Sequence, residues 1–432
     1  LPPHGEVVQG VESLTTSFFQ LGFVPRLLFS SALRERPETV SLFLVFSILA
    51  VSAPFTPSLV TRYGGSGSRA TQAFLRGASA FVPQHMFESS LEAVQAFFLL
   101  SIAEWGNGDK NRSLVYMGIA VRLAGIMRLH REEAYRLPDG SSAEAVARSE
   151  GARRTFWMLE TFENLHSGAG SPIAFSYADM TVLLPCDERD FTFGVRPYRR
   201  AALMGTPPAL ANPALTRLPA PERSLFATLL QTHSLWGRVA RLAGAGDAAM
   251  MQPGSAAPGS GGPRIDAGDY ARLAGELAGF ERDLPAQHAW SVWNLRAFKL
   301  EGQDLAFLST VMILRLSNVI LRRSHLDGLL NAAARSGTAS DDRAWQPVAG
   351  QLYADMLVLH EQISAFFAHR APAHGYPALV VFCAYVCGSL ANRLHRQPQL
   401  CVAVAPQALA VLRSSVRGLA SLHVAWPFAQ RW

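Results

Sequence analysis

Apolar positions recur at steps of three and four along nearly the whole chain, and no run alternates with the period of two that a half-buried strand requires. VSLFLVFSILAV (40–51) is apolar throughout; Pro37-Glu38 precede it and Pro54 and Pro57 close it, so it predicts a buried helix. RYGGSGSR (62–69) predicts a loop. In SSLEAVQAFFLLS (89–101), Leu91, Val94, Phe98 and Leu99 mark one buried face. After the polar turn GNGDKNR (106–112), Leu114, Met117, Val121 and Ala124 mark the next helix. Ser141 and Glu144 have the spacing of a capping box, which starts a long helix running to about His166. Prolines and polar residues between Phe191 and Pro221 predict an irregular crossing, and PERSLFATLLQTHSLWGRVARLAG (221–244) restores helix, with Pro221 in its first turn. GAGDAAMMQPGSAAPGSGGPR (244–264) offers almost nothing to bury and predicts a mobile, disordered linker. Helical patterning resumes at Asp266 and runs to the C-terminus, broken at 336–342 and 370–377. The expected architecture is all-α: one contiguous multi-helical body made of residues 1–243 and 265–432, with 244–264 as a disordered insertion. No repeat of regular period appears.

Composition narrows the class. The chain has 432 residues, 49% hydrophobic and 17% charged, ample material for a large core. Its net charge is +6, but Lys110 and Lys299 are the only lysines, and the arginines are spread along the chain. Such a distribution lacks the concentrated basic footprint of a nucleic-acid surface. The four cysteines, Cys186, Cys383, Cys387 and Cys401, have no C-x-x-C spacing, so they read as buried free thiols in a reduced, intracellular protein. LPPHGEVVQG has neither the basic start nor the apolar run of a signal peptide, and the missing initiator methionine suggests a fragment. The apolar runs 40–51 and 378–391 fall short of the ~20 residues a bilayer needs, so they are expected in a core rather than a membrane.

Catalytic and metal motifs fail one by one. No phosphate-cradling G-x-x-x-x-G-K-[ST] occurs, and His360-Glu361 lacks the second histidine of a zinc helix. GGSGS (64–68) follows no strand, and the glycines at 259–262 have no dinucleotide-binding context. The expectation is a non-enzyme with no catalytic residue, no metal site and no cofactor in this chain.

The stretch ARRTFWMLETFENLHSGAGSP (152–172) is more informative. On a helix, Glu150 lies three residues before Arg153 and four before Arg154, so both can pair with it. Arg153 also precedes Trp157 by one turn and is expected to stack on its indole. Trp157, Met158, Thr161, Phe162 and Leu165 form a core stripe, Gly168-Ala169-Gly170 end the helix, and Pro172 prevents its continuation.

Together with its neighbours this stretch resembles the fungal-specific transcription factor domain, the middle homology region of fungal binuclear zinc-cluster proteins. The resemblance begins in EAVQAFFLLSIAEWGNGDKNRSLVYMGIAVRLAGIMRLHRE: a Gln95-to-Leu99 helix, a polar turn, Ala120-Val121-Arg122-Leu123-Ala124, and Arg128-Leu129-His130-Arg131. Glu150, Arg153, Arg154, Phe156 and Trp157 match the family's acidic-to-Arg-Arg-x-Phe-Trp helix, and Asp179 and Leu184-Pro185 its closing acidic and Leu-Pro positions. Looser similarity continues at 284–295, 311–326 and 423–432. The resemblance marks Arg122, His130, Arg153, Arg154, Phe156, Trp157, Glu163, Gly170, Pro172 and Pro185 as structural signature positions. It also exposes departures. The family's Asp-Arg is Glu163-Asn164 here, its Gly-Arg-Pro is Gly170-Ser171-Pro172, and its Gly-Leu-His is Arg128-Leu129-His130. Either these are drift, with Arg128 substituting for the lost charge, or they outline a polar effector pocket of Arg128, His130, Trp157, Asn164 and His166.

What the resemblance implies is a regulatory domain of a nuclear transcription factor acting on RNA polymerase II genes. It would sense a small-molecule effector, form a homodimer, or contact the transcription machinery. DNA, and the zinc that reads it, belong to a six-cysteine module that this chain does not contain. Two rivals remain: a helical scaffold for protein partners alone, marked by a broad exposed apolar face, and a helical enzyme, marked by converging shifted carboxylates and histidines.

Overall fold

The computed structural model describes residues 1–17, 22–165, 174–250, 265–336, 345–370 and 377–422. Among them lie eighteen α-helices, short 3₁₀ turns and no strand, the all-α class that the periodicity predicts. Polar side chains cap half of the α-helix starts. The chain opens with α1 (His4–Ser17), α2 (Arg26–Glu35) and α3 (Leu42–Ser52), whose N-cap Ser41 accepts from the Leu44 N–H. Helix α3 is apolar all round, so it can only be a core helix. It is buried among α1, α5 (Gly67–Ser79) and α7 (Leu91–Asn107), with α4 (Pro57–Arg62) and α6 (Val82–His85) completing the turn between them. Of the expected 62–69 loop, Arg62 ends α4 and Gly67, Ser68 and Arg69 form the first turn of α5.

Helix α8 (Lys110–Ile126) folds back on α7 through a turn of Gly108 and Asp109 alone. Gly108 sits at φ 93°, the left-handed conformation that closes a helix, and Asp109 caps the next. The expected face of α8 is rotated: Leu114 is 58% exposed, and Ser113, Met117, Ala120 and Ala124 face inward. Ser113 can be buried because its Oγ meets that of Ser101 on α7 at 3.1 Å, and small residues let the two helices approach closely.

Helix α9 (Ala143–Leu165) is the central rod, buried on nearly every side in its second half. Its cap is Ser142, which accepts from the Ala145 N–H, one residue beyond the predicted Ser141–Glu144 box; the Ser141 hydroxyl donates instead to the Pro138 carbonyl. The irregular crossing contains only α10 (Glu188–Phe193) and α11 (Pro207–Ala211). Helix α12 (Leu225–Met250) is capped by Ser224, which accepts from the Ala227 N–H, so Pro221 lies before the helix rather than in its first turn. Helix α12 also continues to Met250, into the stretch expected to be linker; residues 251–264 lie outside the described residues.

The second half holds α13 (Ala267–Arg282), capped by Asp266, then α14 (Val292–Leu300), α15 (Asp304–Ser336), α16 (Trp345–His369), α17 (Ala378–Arg396) and α18 (Ala408–Leu422). One buried apolar cluster draws on residues from Val7 to Leu422, and a smaller one joins α12, α13 and α15. Both apolar runs noted in the sequence are core helices, α3 and α17. Asp304–Ala333, in α15, is the one described helix long and apolar enough to cross a membrane, and 89% of its apolar window is buried inside the body.

Candidate functional site

The signature residues of α9 build a buried ion-pair node. Arg153 donates through both Nη atoms to the two Glu132 carboxylate oxygens at 2.6 and 2.7 Å, and to the Leu183 carbonyl at 2.9 Å. Arg154 donates to Glu188 at 2.6 Å and to the carbonyls of Gly22 and Cys186, both at 3.2 Å. Glu150 lies 3.6 Å from the Nε of each arginine, as the helical spacing predicts, but its short contacts are with Arg200 at 2.7 Å and the Cys186 N–H at 2.8 Å. Burial works to raise the Glu150 carboxyl; the guanidinium groups of Arg200, Arg154 and Arg153 outweigh it and hold the group at about 2. Both arginines are pushed above their ordinary value despite burial, because Glu132, Glu188 and Glu150 favour the charged form.

The expected stacking of Arg153 on Trp157 does not occur. Its guanidinium lies over Tyr135 at 4.3 Å, drawn there by Glu132, while Arg154 lies between Phe191 at 3.9 Å and Phe226 at 5.0 Å. Trp157 is fully buried, edge-on to Phe156, and its indole N–H donates to the Leu183 carbonyl at 3.0 Å. Arg153, Trp157 and Glu150 together stitch the extended segment 182–186 to α9. That segment is tied to the His130 carbonyl by the N–H groups of Thr181 and Val182, and the Pro185 carbonyl receives the Ser224 hydroxyl at the start of α12. Gln95 on α7 donates to Thr155 on α9 at 3.0 Å. The charges of the node are paired with one another, although the Nε atoms of Arg153 and Arg154 make no hydrogen bond and lie only within ion-pair distance of Glu150.

The described residues among those considered for an effector pocket have separate surroundings. Arg128 is exposed and closes α8 at φ 58°: its N–H reaches the Gly125 carbonyl and the Leu129 N–H the Ala124 carbonyl, the pattern of a helix end that usually holds glycine. The left-handed backbone at this position is what the structure shows of Arg128. His130 is half-buried with its ring stacked 5.6 Å from Phe175; its Nδ1 is buried without a partner, and burial is the main cause lowering its pKa. Asn164 belongs to a separate buried cluster. There Glu160 Oε1 accepts from Asn164 and from the Tyr177 hydroxyl, and Tyr177 meets Ser234 at 2.8 Å. Gly237 of α12 makes room for it: a Cβ there would lie 2.0 Å from the Asn164 oxygen. Glu160 Oε2 has no hydrogen-bond partner, and burial pushes the carboxyl up to about 7. Glu163 is half-buried beside this cluster and Arg122 is exposed on α8. His166, Gly170 and Pro172 lie outside the described residues.

Two clefts are better formed, and none of the described candidate residues lines either. One, of about 660 Å³, lies between the α1–α2 region, the start of α9, and α10; its apolar wall includes Leu14, Val24, Leu27, Phe191 and Phe193, with Glu144, Glu188 and Glu301 against Arg26. The other, of about 580 Å³, lies between α12, α13 and residues of the 203–217 segment. It is lined by five arginines, Arg217, Arg223, Arg238, Arg272 and Arg282, against two carboxylates, Glu276 and Asp283. Arg223 is fully buried, lies 4.8 Å from the Phe280 ring, and makes one hydrogen bond, to the Asp283 carbonyl at 2.9 Å. Its Nε and Nη2 have no partner, and burial pushes its pKa down to about 10. No local pattern in the sequence distinguishes this arginine from the others.

Two buried histidines among the described residues are spent on internal partners. His288 pairs with Thr228 at 2.9 Å and His233 with the Leu229 carbonyl at 2.7 Å, and burial lowers each to about 4. Cys186, Cys383 and Cys387 are buried free thiols, and no described group of three His, Cys, Asp or Glu side chains could hold a metal.

Residues 15–215 match the model of the fungal specific transcription factor domain. Over 212 residues the chain is 26% identical to an "uncharacterized transcriptional regulatory protein" of Schizosaccharomyces pombe, covering 47% of this chain and 21% of that protein. Over 346 residues it is 22% identical to the Zn(2)-C6 fungal-type transcription factor FTF1c of Fusarium oxysporum f. sp. lycopersici, covering 78% of this chain and 36% of that protein. The matched region thus spans about a fifth to a third of the length of these curated relatives. No solved structure matches the chain.

Proposed function

We infer that this chain, which carries a fungal specific transcription factor domain over residues 15–215, is the regulatory body of a fungal transcription regulator. The observation that carries the reading is that match, whose signature arginines Arg153 and Arg154 form the buried node. In this reading, DNA is bound by a zinc-cluster module elsewhere in the full-length protein, and the helical body acts in the nucleus on the transcription machinery. Zinc has no fitting donor set among the described residues here, because the cysteines are scattered through the core.

Regulation by a small-molecule effector is favoured over a pure scaffold by the two clefts, each of a size suited to a metabolite. Of the large exposed apolar side chains, Phe87 and Tyr198 lie far apart in the chain, and Trp293 and Leu300 share one face of the short helix α14. Helix α12 packs on α9 and α15 and touches α13 through Arg238–Glu276 and the smaller apolar cluster, so a ligand that favours one packing would shift the whole body toward it.

The test is a reporter in a fungal host. The chain is placed between a heterologous sequence-specific DNA-binding domain and a constitutive activating segment, and cells are grown on different carbon and nitrogen sources. The expected result is an output that differs from the fusion lacking the chain and depends on the medium. Output equal to the control in every medium would overturn the reading.

A further inference from the structure

We propose that the cleft between α12, α13 and the 203–217 segment binds a small organic anion, a carboxylate or phosphate ester that also carries a hydroxyl or amine, with Arg223 as its buried anchor.

The first argument is charge. Buried cations in folded proteins are paired, because removing a guanidinium from water costs more than one neutral hydrogen bond returns. Arg223 has no carboxylate within ion-pair distance and a single carbonyl as acceptor, although the same protein surrounds Arg154 with partners. The other charged groups of the cleft do not fill the gap. Glu276 pairs with Arg238 and Arg272, and Asp283 with Arg217, while Arg282 adds a further exposed cation. A surplus of positive charge remains at a concave site.

Geometry then selects the ligand. The two unpartnered nitrogens of Arg223, Nε and Nη2, form one edge of the guanidinium, the edge that receives both oxygens of a carboxylate or phosphate. Gln231 lines the same cleft and spends its amide N–H groups on the carbonyls of Ala202 at 3.2 Å and Thr216 at 3.1 Å. That fixes the amide, and its Oε1, buried without a partner, calls for a donor, which a hydroxyl or amine on the ligand supplies. Leu203, Met204, Leu235 and Phe280 provide the apolar wall. Ser234 lines the cleft as well and meets Tyr177, which donates to Glu160 on α9, so occupancy is felt at the central helix.

That the anion is the effector rests on the regulatory reading above; that it binds does not. Isothermal titration of the full chain with malate, with glycerol 3-phosphate, and with neutral propane-1,2-diol tests the site and separates carboxylate from phosphate. We expect one of the two anions to saturate a single site with Kd below about 1 mM and the diol not to bind. Arg223→Met should weaken that binding by at least about tenfold with cooperative melting retained, and Gln231→Leu by about threefold or more. Absence of saturation by either anion at 10 mM, a concentration on the order of ten times the expected Kd, or unchanged affinity in Arg223→Met overturns the site. Should Arg223→Met fail to fold, Arg282→Ala on the exposed rim decides: about threefold weakening supports the site, and unchanged affinity overturns it. A medium-dependent reporter with no anion binding removes this site and leaves the regulatory reading. Anion binding with a reporter blind to the medium does the reverse.

Discussion

Arg154 and Arg223 are equally hidden, each at 0% exposure, yet their surroundings are opposite. Arg154 has Glu188 at 2.6 Å, Glu150 at 3.6 Å, two carbonyls and two aromatic faces, and its charge is stabilised. Arg223 has one carbonyl and one ring, and burial wins. The carboxylates repeat the contrast: Glu150 amid three arginines is held at about 2, whereas Glu160, with two neutral donors, is pushed up to about 7. Burial alone therefore says nothing about role. A charge whose partners are complete holds the fold together, and one left short of partners is where a ligand or a proton can still act.

The largest expected effect tests the complete side. Arg154→Ala leaves Glu188 and part of Glu150 stranded in the interior and should cost about 3–5 kcal/mol in urea melts. Arg154→Lys should recover only a fraction, lacking the fork and the flat face. An unshifted midpoint would break the comparison at its stronger end.

Protonation tests the carboxylates. Glu160 has a folded-state pKa above its ordinary 4.5, so its stabilising contribution is full below about pH 4.5 and is lost as pH rises through about 7. Glu150, with a lowered folded-state pKa, contributes above 4.5 and loses that contribution only as pH falls toward about 2. The stability of Glu160→Gln relative to the parent should therefore rise by about 3 kcal/mol between pH 4.5 and 8, on the order of the conversion from pKa to free energy. Taking the difference cancels His233 and His288, which titrate in an overlapping range. A flat difference would show that Glu160 is ionised throughout.

Removing the incomplete cation should do little harm. Arg223→Met is expected to leave stability unchanged or raise it by about 1 kcal/mol, since an apolar chain of similar length replaces an uncompensated charge. A loss as large as that of Arg154→Ala would erase the distinction. The smallest change belongs to an arginine outside both environments: Arg128→Gly relieves a left-handed backbone at φ 58° and should gain about 0.5 kcal/mol, net of the glycine's extra chain entropy. A loss on thermal melting would mean that the exposed Arg128 side chain contributes more than its backbone strain costs.

Sequence periodicity located most helices, because an amphipathic or wholly apolar stripe is a local property. It placed α3, α7, α9 and α13 within a few residues, and missed by one step at the α9 cap and on the α8 face. Ser142 rather than Ser141 caps α9, since Ser141 turns its hydroxyl to the Pro138 carbonyl, and Ser113 rather than Leu114 faces α7, where Ser101 receives it. The pairing of Glu150 with Arg153 and Arg154 was legible from helical spacing. Glu132, Glu188 and Arg200 were not, although they supply the short bonds, since they come from 18 to 50 positions away from Glu150.

The same division runs through the whole molecule. The all-α class, the lack of any local catalytic or metal motif, and the ordered signature from Gln95 to Pro185 were determined by the sequence alone, each being a matter of residue type and spacing along one strand of chain. Which buried charges find partners was decided only by tertiary structure. Electrostatic compensation falls off over a few ångströms of space, and residues 283 and 223 or 234 and 177 become neighbours only when α12 and the turn before it meet α9 and α13.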